Sequence, residues 1–295
     1  MKGPLITVGI PSYNHAKFLE KALDTVVKQT YSNLEIIIVD NFSTDGTDDV
    51  LSKFIDSRMS IVKVNNGGSI AVSRNIILSK SKGEWIAFLD SDDWWTLDKL
   101  EKSAQQFQQG VDLIYHDLIV VNENTDNMQK TTRKSRKMKK PVFKDLIIKG
   151  NTIPTSSVVV RKSILIKVQG MNESKYMYGT EDFNTWLKIS QITDGFRYLN
   201  ENLGFYRVHQ TNTSITKKFS PPLEAYKEFL PMLSDKELKT MENNYKYVSA
   251  RLNFSAGNYS AIKKELADLI RFGSIPNRLK SLYMYLLLFI NKHKS

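Results

Sequence analysis

The 295-residue sequence contains no cysteine. Disulfide bonds, thiolate zinc sites and a cysteine nucleophile are therefore excluded, which fits a reducing compartment. The sequence also lacks any run that reaches the roughly 20 apolar residues of a membrane-spanning helix. The longest run, residues 282–290, is too short for this. The first residues lack the long apolar segment of a signal peptide, so we expect a cytoplasmic protein.

The fractions of hydrophobic and charged residues are ordinary, but positive charges outnumber negative ones. Hydrophobic residues make up 41% and charged residues 25%, as in folded soluble proteins. The net charge of +11 indicates an anionic partner. Charge alone leaves nucleic acid, anionic lipid and phosphorylated substrates open. The length suits one large α/β domain and a smaller appendage.

The hydrophobic pattern alternates between strands and helices over most of the chain. Apolar strand-like runs occur at residues 5–10, 34–39, 61–64 and 85–89. In the segments between them, apolar residues recur at helical spacing. This alternation predicts an α/β fold with a mostly parallel sheet. Beyond Pro221 and Pro222 the pattern is helical only. We therefore predict two domains, residues 1–220 and a helical region at residues 221–295.

Three polar clusters each follow a predicted strand: Ser12–Asn14, Asp40–Asp45 and Asp90–Asp93. In open α/β sheets, ligands bind beyond the carboxyl ends of the strands, so these clusters are predicted to meet at one site. The last cluster has three carboxylates within four residues, which repel one another unless a cation lies among them. Mg²⁺ and Mn²⁺ prefer oxygen ligands and commonly share them with substrate phosphates. The cluster therefore predicts a metal–diphosphate site.

Six motifs, in a characteristic order and spacing, carry a family resemblance. They are Val8–Asn14, Val39–Thr47, Ser73–Asn75, Gly83–Asp93, Glu181–Asp182 and Tyr206–His209. Over roughly residues 4–215 the chain resembles family 2 glycosyltransferases with the nucleotide-sugar-binding fold called GT-A. The resemblance implies a Rossmann-like, mostly parallel mixed sheet flanked by helices, here with a C-terminal helical extension.

The resemblance also implies an activity. We expect inverting, metal-dependent transfer of a sugar from a nucleotide-diphosphate donor to a hydroxyl of a glycan or lipid-linked acceptor. The transferred group would be a hexosyl or N-acetylhexosaminyl unit. Bacterial surface-polysaccharide biosynthesis is the setting that such relatives serve. Mn²⁺ or Mg²⁺ is the expected cofactor.

The resemblance assigns roles to the acids. Asp90 would lie near the ribose, while Asp92, with His209 as a second candidate ligand, would hold the metal. The metal would act as a Lewis acid on the leaving diphosphate. Asp182 is our choice of general base for the acceptor hydroxyl, with Glu181 as the second choice. The alternative interpretation of Glu181 and Asp182 is that acids in a helix's first turn suit its dipole.

A donor-binding set follows from the same resemblance. Its members are Pro11, Tyr13, Asp40, Asn41, Arg74, Asp90 and Ser91. Relatives often have a second aspartate where this chain has Asn41. An amide can both donate and accept hydrogen bonds, whereas a carboxylate only accepts, so Asn41 suits uracil or thymine better than guanine. We therefore expect a UDP-sugar or dTDP-sugar, with UDP preferred, although Asp40 alone could contact the base.

Several of these residues have simpler interpretations. Tyr13 either stacks beneath the base or is a partly buried tyrosine at a strand end. Arg74 either meets the donor or forms an ion pair on a helix surface. A single histidine such as His209 commonly fills a structural hydrogen-bonding role.

Two basic segments are candidates for contact with the inner face of the membrane. Lys130–Lys140 is interpreted first as a solvated, mobile insertion, and second as a polybasic segment that docks onto anionic lipid or a diphosphate-linked acceptor. The predicted helix after Pro276 has apolar residues flanked by cations, which fits an interfacial helix and equally fits ordinary packing against the preceding helices.

Other classes explain less of the sequence. A sugar-phosphate nucleotidyltransferase should have a Gly-rich turn after the first strand, but residues 11–17 contain no glycine. A nucleic-acid partner is not expected, because acids at the strand ends would repel its phosphates. A catalytically inactive glycosyltransferase-like binding protein is the remaining alternative, and the intact Asp90, Asp92 and Asp182 argue against it.

Overall fold

The computed structural model describes residues 3–122, 128–209, 223–255 and 257–292. The chain forms two compact units. The first is built from residues 1–142 and 152–212, and the second from residues 143–151 and 213–295. The domain boundary predicted between residues 220 and 221 lies outside the described residues.

The first unit contains a mixed sheet. Within the described ranges it has nine strands: β1 (Ile6–Ser12), β2 (Leu34–Asp40), β3 (Met59–Lys63), β4 (Trp85–Phe88), β5 (Trp94–Trp95), β6 (Leu113–Asn122), β7 (Met128–Arg133), β8 (Val159–Arg161) and β9 (Phe196–Val208). Their order across the sheet is β3-β2-β1-β4-β8-β6-β9-β5, and β7 pairs with the free edge of β6. The first four strands are parallel to one another, while β5, β7 and β8 each pair antiparallel to a neighbour.

Strand register places the predicted site. β1 and β2 pair in parallel from Ile6 opposite Leu34 to Ser12 opposite Asp40. Their side chains are almost wholly buried, which matches the unbroken apolar character of strands covered on both faces. β4 lies on the other side of β1, also in parallel. The three carboxyl ends therefore lie side by side at one edge of the sheet, as the sequence predicted.

Helices flank the sheet of the first unit: α1 (Ala16–Val27), α2 (Thr47–Ser52), α3 (Ile70–Lys80), α4 (Lys99–Ala104), α6 (Lys162–Lys167) and α7 (Glu181–Ile192). The approach of α3 to β1 depends on Gly9, because a Cβ there would lie 2.4 Å from Cγ2 of Ile77. α3 is thereby held directly over β1, and its first turns lie next to the strand ends.

The second unit is helical. It contains α5 (Val142–Lys149), α8 (Leu223–Tyr226), α9 (Asp235–Ser255), α10 (Tyr259–Phe272) and α11 (Ile275–Lys292), with a 3₁₀ segment at Lys227–Met232. Buried apolar side chains of the last three helices form its core, namely Ala250, Ile262, Leu266, Leu269, Met284 and Leu288. Asn244 on α9 donates to the carbonyl of Ile148 on α5 at 3.0 Å. Among the described helices, no segment combines the length and apolarity needed to cross a bilayer.

The mixed α/β class and the C-terminal helices are thus confirmed, and two local predictions are corrected. The apolar pattern of the sequence favours a pair of strands at residues 196–199 and 204–208, but these residues form one strand, β9, parallel to β6. Register shifts around Asp117 accommodate the polar residues 200–202 between the two apolar runs. The first residues of the basic Lys130–Lys140 segment belong to β7, which is antiparallel to β6, and not to an insertion.

The segment Lys130–Lys140 is fastened to the first unit over its described side chains. The backbone nitrogen of Ser135 donates to Asp117 Oδ1 at 2.7 Å, and Met138 is buried. Lys137, Lys139 and the neighbouring cations point outward. The outward cations of this part are solvated, as the insertion interpretation expects, and the mobility of the segment stays a prediction.

Candidate active site

The acidic turn after β4 is clamped by β9. The nitrogen of Asp93 donates to the carbonyl of Asp90 at 3.0 Å, which closes the turn. Asp93 Oδ1 accepts a hydrogen bond from the backbone nitrogen of Arg207 at 3.0 Å. Arg207 Nε donates to the carbonyl of Asp92 at 3.1 Å. The turn therefore has a fixed shape, and one residue of β9 holds two of its members.

Asp93 is the structural member of the three acids. It is buried, and burial, followed by the carboxylates of Asp92 and Asp90, raises its pKa well above the usual range. Ser156, from the turn before β8, also bonds to it. The Ser156 hydroxyl accepts a hydrogen bond from the Asp90 nitrogen at 3.2 Å, and its carbonyl accepts one from Trp95 Nε1 at 2.7 Å. Asp93 and Ser156 together brace the turn from within.

Asp92 lies beside His209, as the sequence predicted for a shared role. His209 Nε2 is 2.8 Å from Asp92 Oδ2, and both side chains are largely buried. The His209 ring packs 4.7 Å from the ring of Phe18, measured between centroids. A carboxylate oxygen and an imidazole nitrogen at this separation form a donor pair that suits a divalent cation. The described residues contain no cluster of three or more acidic or histidine side chains that could complete a metal site alone.

His15 was not assigned a role from the sequence, yet it supports the same turn. Its Nδ1 lies 2.7 Å from the hydroxyl of Ser91, the residue between Asp90 and Asp92 in the turn. Its ring meets that of His209 edge-on, with centroids 5.9 Å apart. The only sequence signal for His15 was its place in the polar turn after β1.

The predicted nucleotide side lies at the ends of β1 and β2. Asp40 is fully buried, and its Oδ1 accepts a hydrogen bond from the Ser43 hydroxyl at 2.5 Å. Asn41 Oδ1 accepts one from the backbone nitrogen of Asn66 at 2.9 Å. The amide nitrogen is therefore the group that Asn41 can present to a ligand. The carboxylate of Asp40 mainly shapes its own turn.

Tyr13 is presented outward by a pinned turn. Its side chain is 52% exposed and directly follows the end of β1, which fits both interpretations of Tyr13. Asn14 has a positive φ of 50° and its Oδ1 accepts a hydrogen bond from the nitrogen of Thr44. Pro11, in contrast, is buried within β1 opposite Val39. Of these two predicted donor contacts, Tyr13 is the exposed one.

Arg74, on α3, joins two acids that are far apart in the sequence. Its Nη2 donates to Asp90 Oδ1 at 2.7 Å, and its Nη1 donates to Glu181 Oε1 at 2.9 Å. The side chain is only 3% exposed, so the alternative of a surface ion pair is wrong. Burial lowers the pKa of the guanidinium, but Asp90 and Glu181 outweigh burial and raise it. Arg74 therefore carries a firmly fixed positive charge between the two acids.

The two acids at the start of α7 differ in environment. Glu181 is buried, and its Oε2 has no hydrogen-bond partner among the described residues. Asp182 is partly exposed, and its Oδ2 accepts a hydrogen bond from the Thr155 hydroxyl at 3.1 Å. Burial, and then repulsion from Glu181, raises the pKa of Asp182 to about 6. A carboxylate with this pKa is a better proton acceptor near neutral pH than an ordinary aspartate.

A cleft of about 410 Å³ opens beside the acid pair. The first turn of α3, with Gly67 and Gly68 just before it, forms one wall. The segment that precedes α7 forms the other wall with Lys175 and Tyr178, and Glu181 lines the cleft as well. This volume falls in the range of small-molecule sites, which is about 300–1,000 Å³.

The structure thus brings the predicted residues into two connected groups. Asp90, Ser91, Asp92 and His209 form the turn side, and Arg74 links it to Glu181 beside Asp182. Tyr13, Asp40 and Asn41 lie at the neighbouring strand ends. Besides His15, no role was predicted for Ser156, Thr155 and Arg207, whose contacts join segments that are distant along the chain.

Comparison with known proteins identifies the family. The model of "Glycosyl transferase family 2" matches residues 7–168, more than half of the chain. The chain belongs to glycosyl transferase family 2. It is a glycosyltransferase, as the motifs predicted. The match includes the acidic turn and α3, while α7 and β9 lie beyond it.

Two curated relatives of this family-2 chain are informative. The chain is 29% identical over 223 residues to the Escherichia coli UDP-Glc:alpha-D-GlcNAc-diphosphoundecaprenol beta-1,3-glucosyltransferase WfaP, covering 72% of this chain and 81% of that protein. It is 43% identical over 104 residues to the Bacillus subtilis putative teichuronic acid biosynthesis glycosyltransferase TuaG. That alignment covers 35% of this chain and 41% of TuaG.

Solved structures confirm the GT-A fold. Staphylococcus aureus TarS 1–349 in complex with UDP-GlcNAc superposes with a TM-score of 0.65 at 17% identity, covering 98% of this chain and 91% of that one. The Pyrobaculum calidifontis mannosyltransferase PcManGT, in complex with GDP-Man and Mn²⁺, gives a TM-score of 0.54 at 19% identity. That match covers 98% of this chain and 87% of PcManGT. At these identities the likeness establishes the fold alone.

Proposed function

We propose that this family-2 enzyme is an inverting, metal-dependent glycosyltransferase that uses a UDP-sugar. The acceptor is a hydroxyl of a lipid-linked glycan in surface-polysaccharide biosynthesis. The observation that carries the proposal is the bridge by Arg74 from Asp90 in the acidic turn to Glu181, the neighbour of Asp182. This bridge keeps a donor-binding turn and a candidate base at a fixed separation, as a direct displacement requires.

In this mechanism Asp182 removes the proton from the acceptor hydroxyl. The acceptor oxygen then bonds to the anomeric carbon as the bond from that carbon to the diphosphate oxygen breaks, so the configuration inverts. The raised pKa of Asp182, about 6, supports its role as the base. Glu181 is the weaker candidate, because one of its oxygens is occupied by Arg74.

Asp92 and His209 are the proposed metal ligands. Their 2.8 Å contact supports a shared cation site, and the absence of a third acidic or histidine ligand in the described part of the chain leaves positions for substrate oxygens. A bound Mn²⁺ or Mg²⁺ would supply positive charge to the leaving diphosphate. Asp90 and Ser91 would orient the donor beside it. The Mn²⁺ in the PcManGT complex supports this assignment.

The donor and acceptor classes rest on the surroundings of the site. Tyr13 offers an exposed ring for stacking with a base, and the Asn41 amide nitrogen can donate to a carbonyl of uracil. UDP-sugars named for WfaP and for the TarS complex point the same way. The name of WfaP also specifies a diphosphoundecaprenol acceptor, which supports a lipid-linked acceptor here. The cleft beside Glu181 is large enough for a sugar ring.

A lipid-linked acceptor implies that the transfer takes place at the inner face of the membrane. The outward cations of the Lys130–Lys140 segment support this, because polybasic surfaces are attracted to anionic lipid. The segment is fastened at Ser135, so its charges form a stable face. We propose that this face helps to retain the enzyme peripherally at the membrane.

A donor-hydrolysis screen tests the proposal. Purified protein is incubated with UDP-, dTDP- and GDP-sugars with and without Mn²⁺, beside Asp92→Ala and Asp182→Asn. We expect release of UDP from at least one UDP-sugar, dependent on Mn²⁺ and lost in both variants. Hydrolysis confined to GDP-sugars would refute the donor assignment, and full activity of both variants would refute the mechanism.

A further inference from the structure

The outer face of α11 (Ile275–Lys292) exposes a stripe of large apolar side chains. The exposed residues are Ile275, Leu279, Leu282, Tyr283 and Leu286. At 3.6 residues per turn, their positions lie within about 100° of one another around the helix axis. They extend over three turns, so they form one continuous surface.

This stripe is not the face that holds the helical unit together. Ser281, Met284 and Leu288 are buried and lie on the opposite side of the helix. Met284 and Leu288 pack into the core with Leu266 and Leu269 of α10. α11 is therefore apolar on both faces, and only one face is used within its unit. Contiguous exposed apolar patches on soluble proteins commonly mark interaction sites.

The charged side chains of α11 itself are all positive. Residues 275–292 contain no aspartate or glutamate. Arg278 and Lys280 are exposed and, by their helical positions, border the stripe on its two sides. Arg271 and the exposed Phe272, at the end of α10, precede the stripe. An apolar strip between cations has the composition of helices that lie in the plane of a membrane surface.

We propose that the outer face of α11 docks onto an anionic lipid surface. The apolar stripe enters the boundary between headgroups and acyl chains, while Arg278 and Lys280 contact lipid phosphates. Tyr283, with an apolar ring and a polar hydroxyl, suits this boundary. The inference deepens the proposed function and rests on it for the reason to bind lipid: a lipid-linked acceptor is presented at such a surface.

The charge pattern distinguishes lipid from a second copy of the chain. Self-pairing of α11 would bring Arg278 and Lys280 of one copy close to those of the other, with no acid on either helix to compensate. Like charges so placed are destabilising. An anionic bilayer complements both the stripe and its flanking cations.

Vesicle flotation tests the docking face. The full chain is mixed with vesicles of phosphatidylcholine and phosphatidylglycerol in equal amounts, or of phosphatidylcholine alone, without any sugar substrate. We compare wild type with the double variant Leu279→Ser/Tyr283→Ser and with Ile166→Ser. Ile166 is 56% exposed on α6 in the other unit, so it controls for loss of any exposed apolar side chain.

We expect wild type and Ile166→Ser to float with the anionic vesicles. The partition coefficient of the double variant into these vesicles should be at least tenfold lower. Arg278→Gln/Lys280→Gln should weaken binding to the anionic vesicles and reduce its salt dependence. Circular dichroism of each variant checks that the helices are retained. Equal flotation of wild type and Leu279→Ser/Tyr283→Ser would overturn the proposal. So would a wild-type dimer in sedimentation that this variant converts to a monomer without loss of vesicle binding.

The hydrolysis assay without vesicles separates this inference from the proposed function. Leu279→Ser/Tyr283→Ser should release UDP at the wild-type rate, because α11 carries no residue of the proposed active site. Loss of flotation with unchanged hydrolysis supports both proposals. If no donor is hydrolysed by any variant, the proposed function fails, while the flotation result still decides the docking face.

Discussion

Arg74 Nη1 lies 2.9 Å from Glu181 Oε1, a contact between residues 107 positions apart in the chain. The other terminal nitrogen of the same guanidinium lies 2.7 Å from Asp90 Oδ1. One buried cation therefore ties the start of α7 to the acidic turn after β4. The geometry of the proposed site depends on this side chain more than on any direct contact between the acids.

Replacing Arg74 should destabilise the fold as well as the site. Arg74→Gln leaves two carboxylates without their partner, and breaking a buried ion pair costs about 3–5 kcal/mol. Arg74→Lys should recover part of the loss, because it restores the charge but not the forked geometry. Urea unfolding at neutral pH measures the difference in the free energy of unfolding.

The matched control for Arg74 is Lys53→Gln. Lys53 pairs with Glu20 at 3.4 Å, but both side chains are more than half exposed. Exposed pairs contribute about 0–1 kcal/mol, so this variant should unfold like wild type. Equal costs for Arg74→Gln and Lys53→Gln would contradict the role assigned to Arg74.

The pH dependence of turnover should report Asp182. Its pKa is raised to about 6, and the base must be deprotonated to accept the acceptor proton. The rate should fall tenfold per pH unit below that value and be level above it. Asp182→Asn should lose about 10²–10⁴ in kcat, the usual contribution of general base catalysis, and should also lose the acidic limb.

Glu181→Gln is the matched comparison in the pH series. It removes a neighbouring charge that raises the pKa of Asp182, so the acidic limb should move to lower pH. An acidic limb that stays in place in Asp182→Asn would show that another group is the base.

The ionised carboxylate of Asp182 should also lower the free energy of unfolding at pH values above its pKa. Its folded-state pKa, about 6, is above the ordinary 3.8, so the folded form binds this proton more tightly. The resulting stability is fully present below pH 3.8 and is lost as pH rises through about 6. Asp182→Asn, which does not titrate, should therefore be more stable than wild type above pH 6, by about 1–3 kcal/mol.

Urea unfolding on either side of this window tests the stability prediction. The two proteins should differ less below pH 3.8 than above pH 6. Asp98→Asn, whose carboxylate has a lowered pKa through Thr96, serves as a control with the opposite sign. A gain for Asp182→Asn that is constant across the window would mean that packing, not ionisation, is responsible.

His209 should set the affinity for the activating metal. His209→Ala removes the imidazole that lies 2.8 Å from Asp92 Oδ2. We expect the Mn²⁺ concentration for half-maximal UDP release to rise about tenfold or more. Asp24→Asn, an exposed acid paired with Lys28 within α1, should leave this concentration unchanged. Titration calorimetry with Mn²⁺ alone would check the same prediction without turnover.

Features that follow from local sequence and strand order could be predicted, whereas contacts between side chains far apart along the chain could not. The edge that gathers Ser12, Asp40 and Asp90 was predictable, because parallel strands bring their carboxyl ends together. The bridge through Arg74 was not, since a helix-borne arginine gives no sign of which distant acids it will reach. The environments that separate Glu181 from Asp182 also arise only from packing.

The second half of the sheet was harder to predict for a related reason. The polar residues 200–202 interrupt the apolar pattern of residues 196–208, but in β9 a register shift against β6 accommodates them. β7 lies in a basic segment whose composition resembles a loop, and its pairing with β6 supplies the missing hydrogen bonds. Pairing partners chosen by tertiary structure override local composition in strands.

The clamp that Arg207 places on the acidic turn has a consequence for how the enzyme comes into being. The ribosome makes Asp90, Asp92 and Asp93 early, but Arg207 and His209, which shape and complete that turn, emerge more than a hundred residues later. A nascent chain that has not yet added β9 to the sheet lacks the contacts that Arg207 and His209 make with this turn. The proposed cation site can therefore be completed only after β9 has joined the sheet.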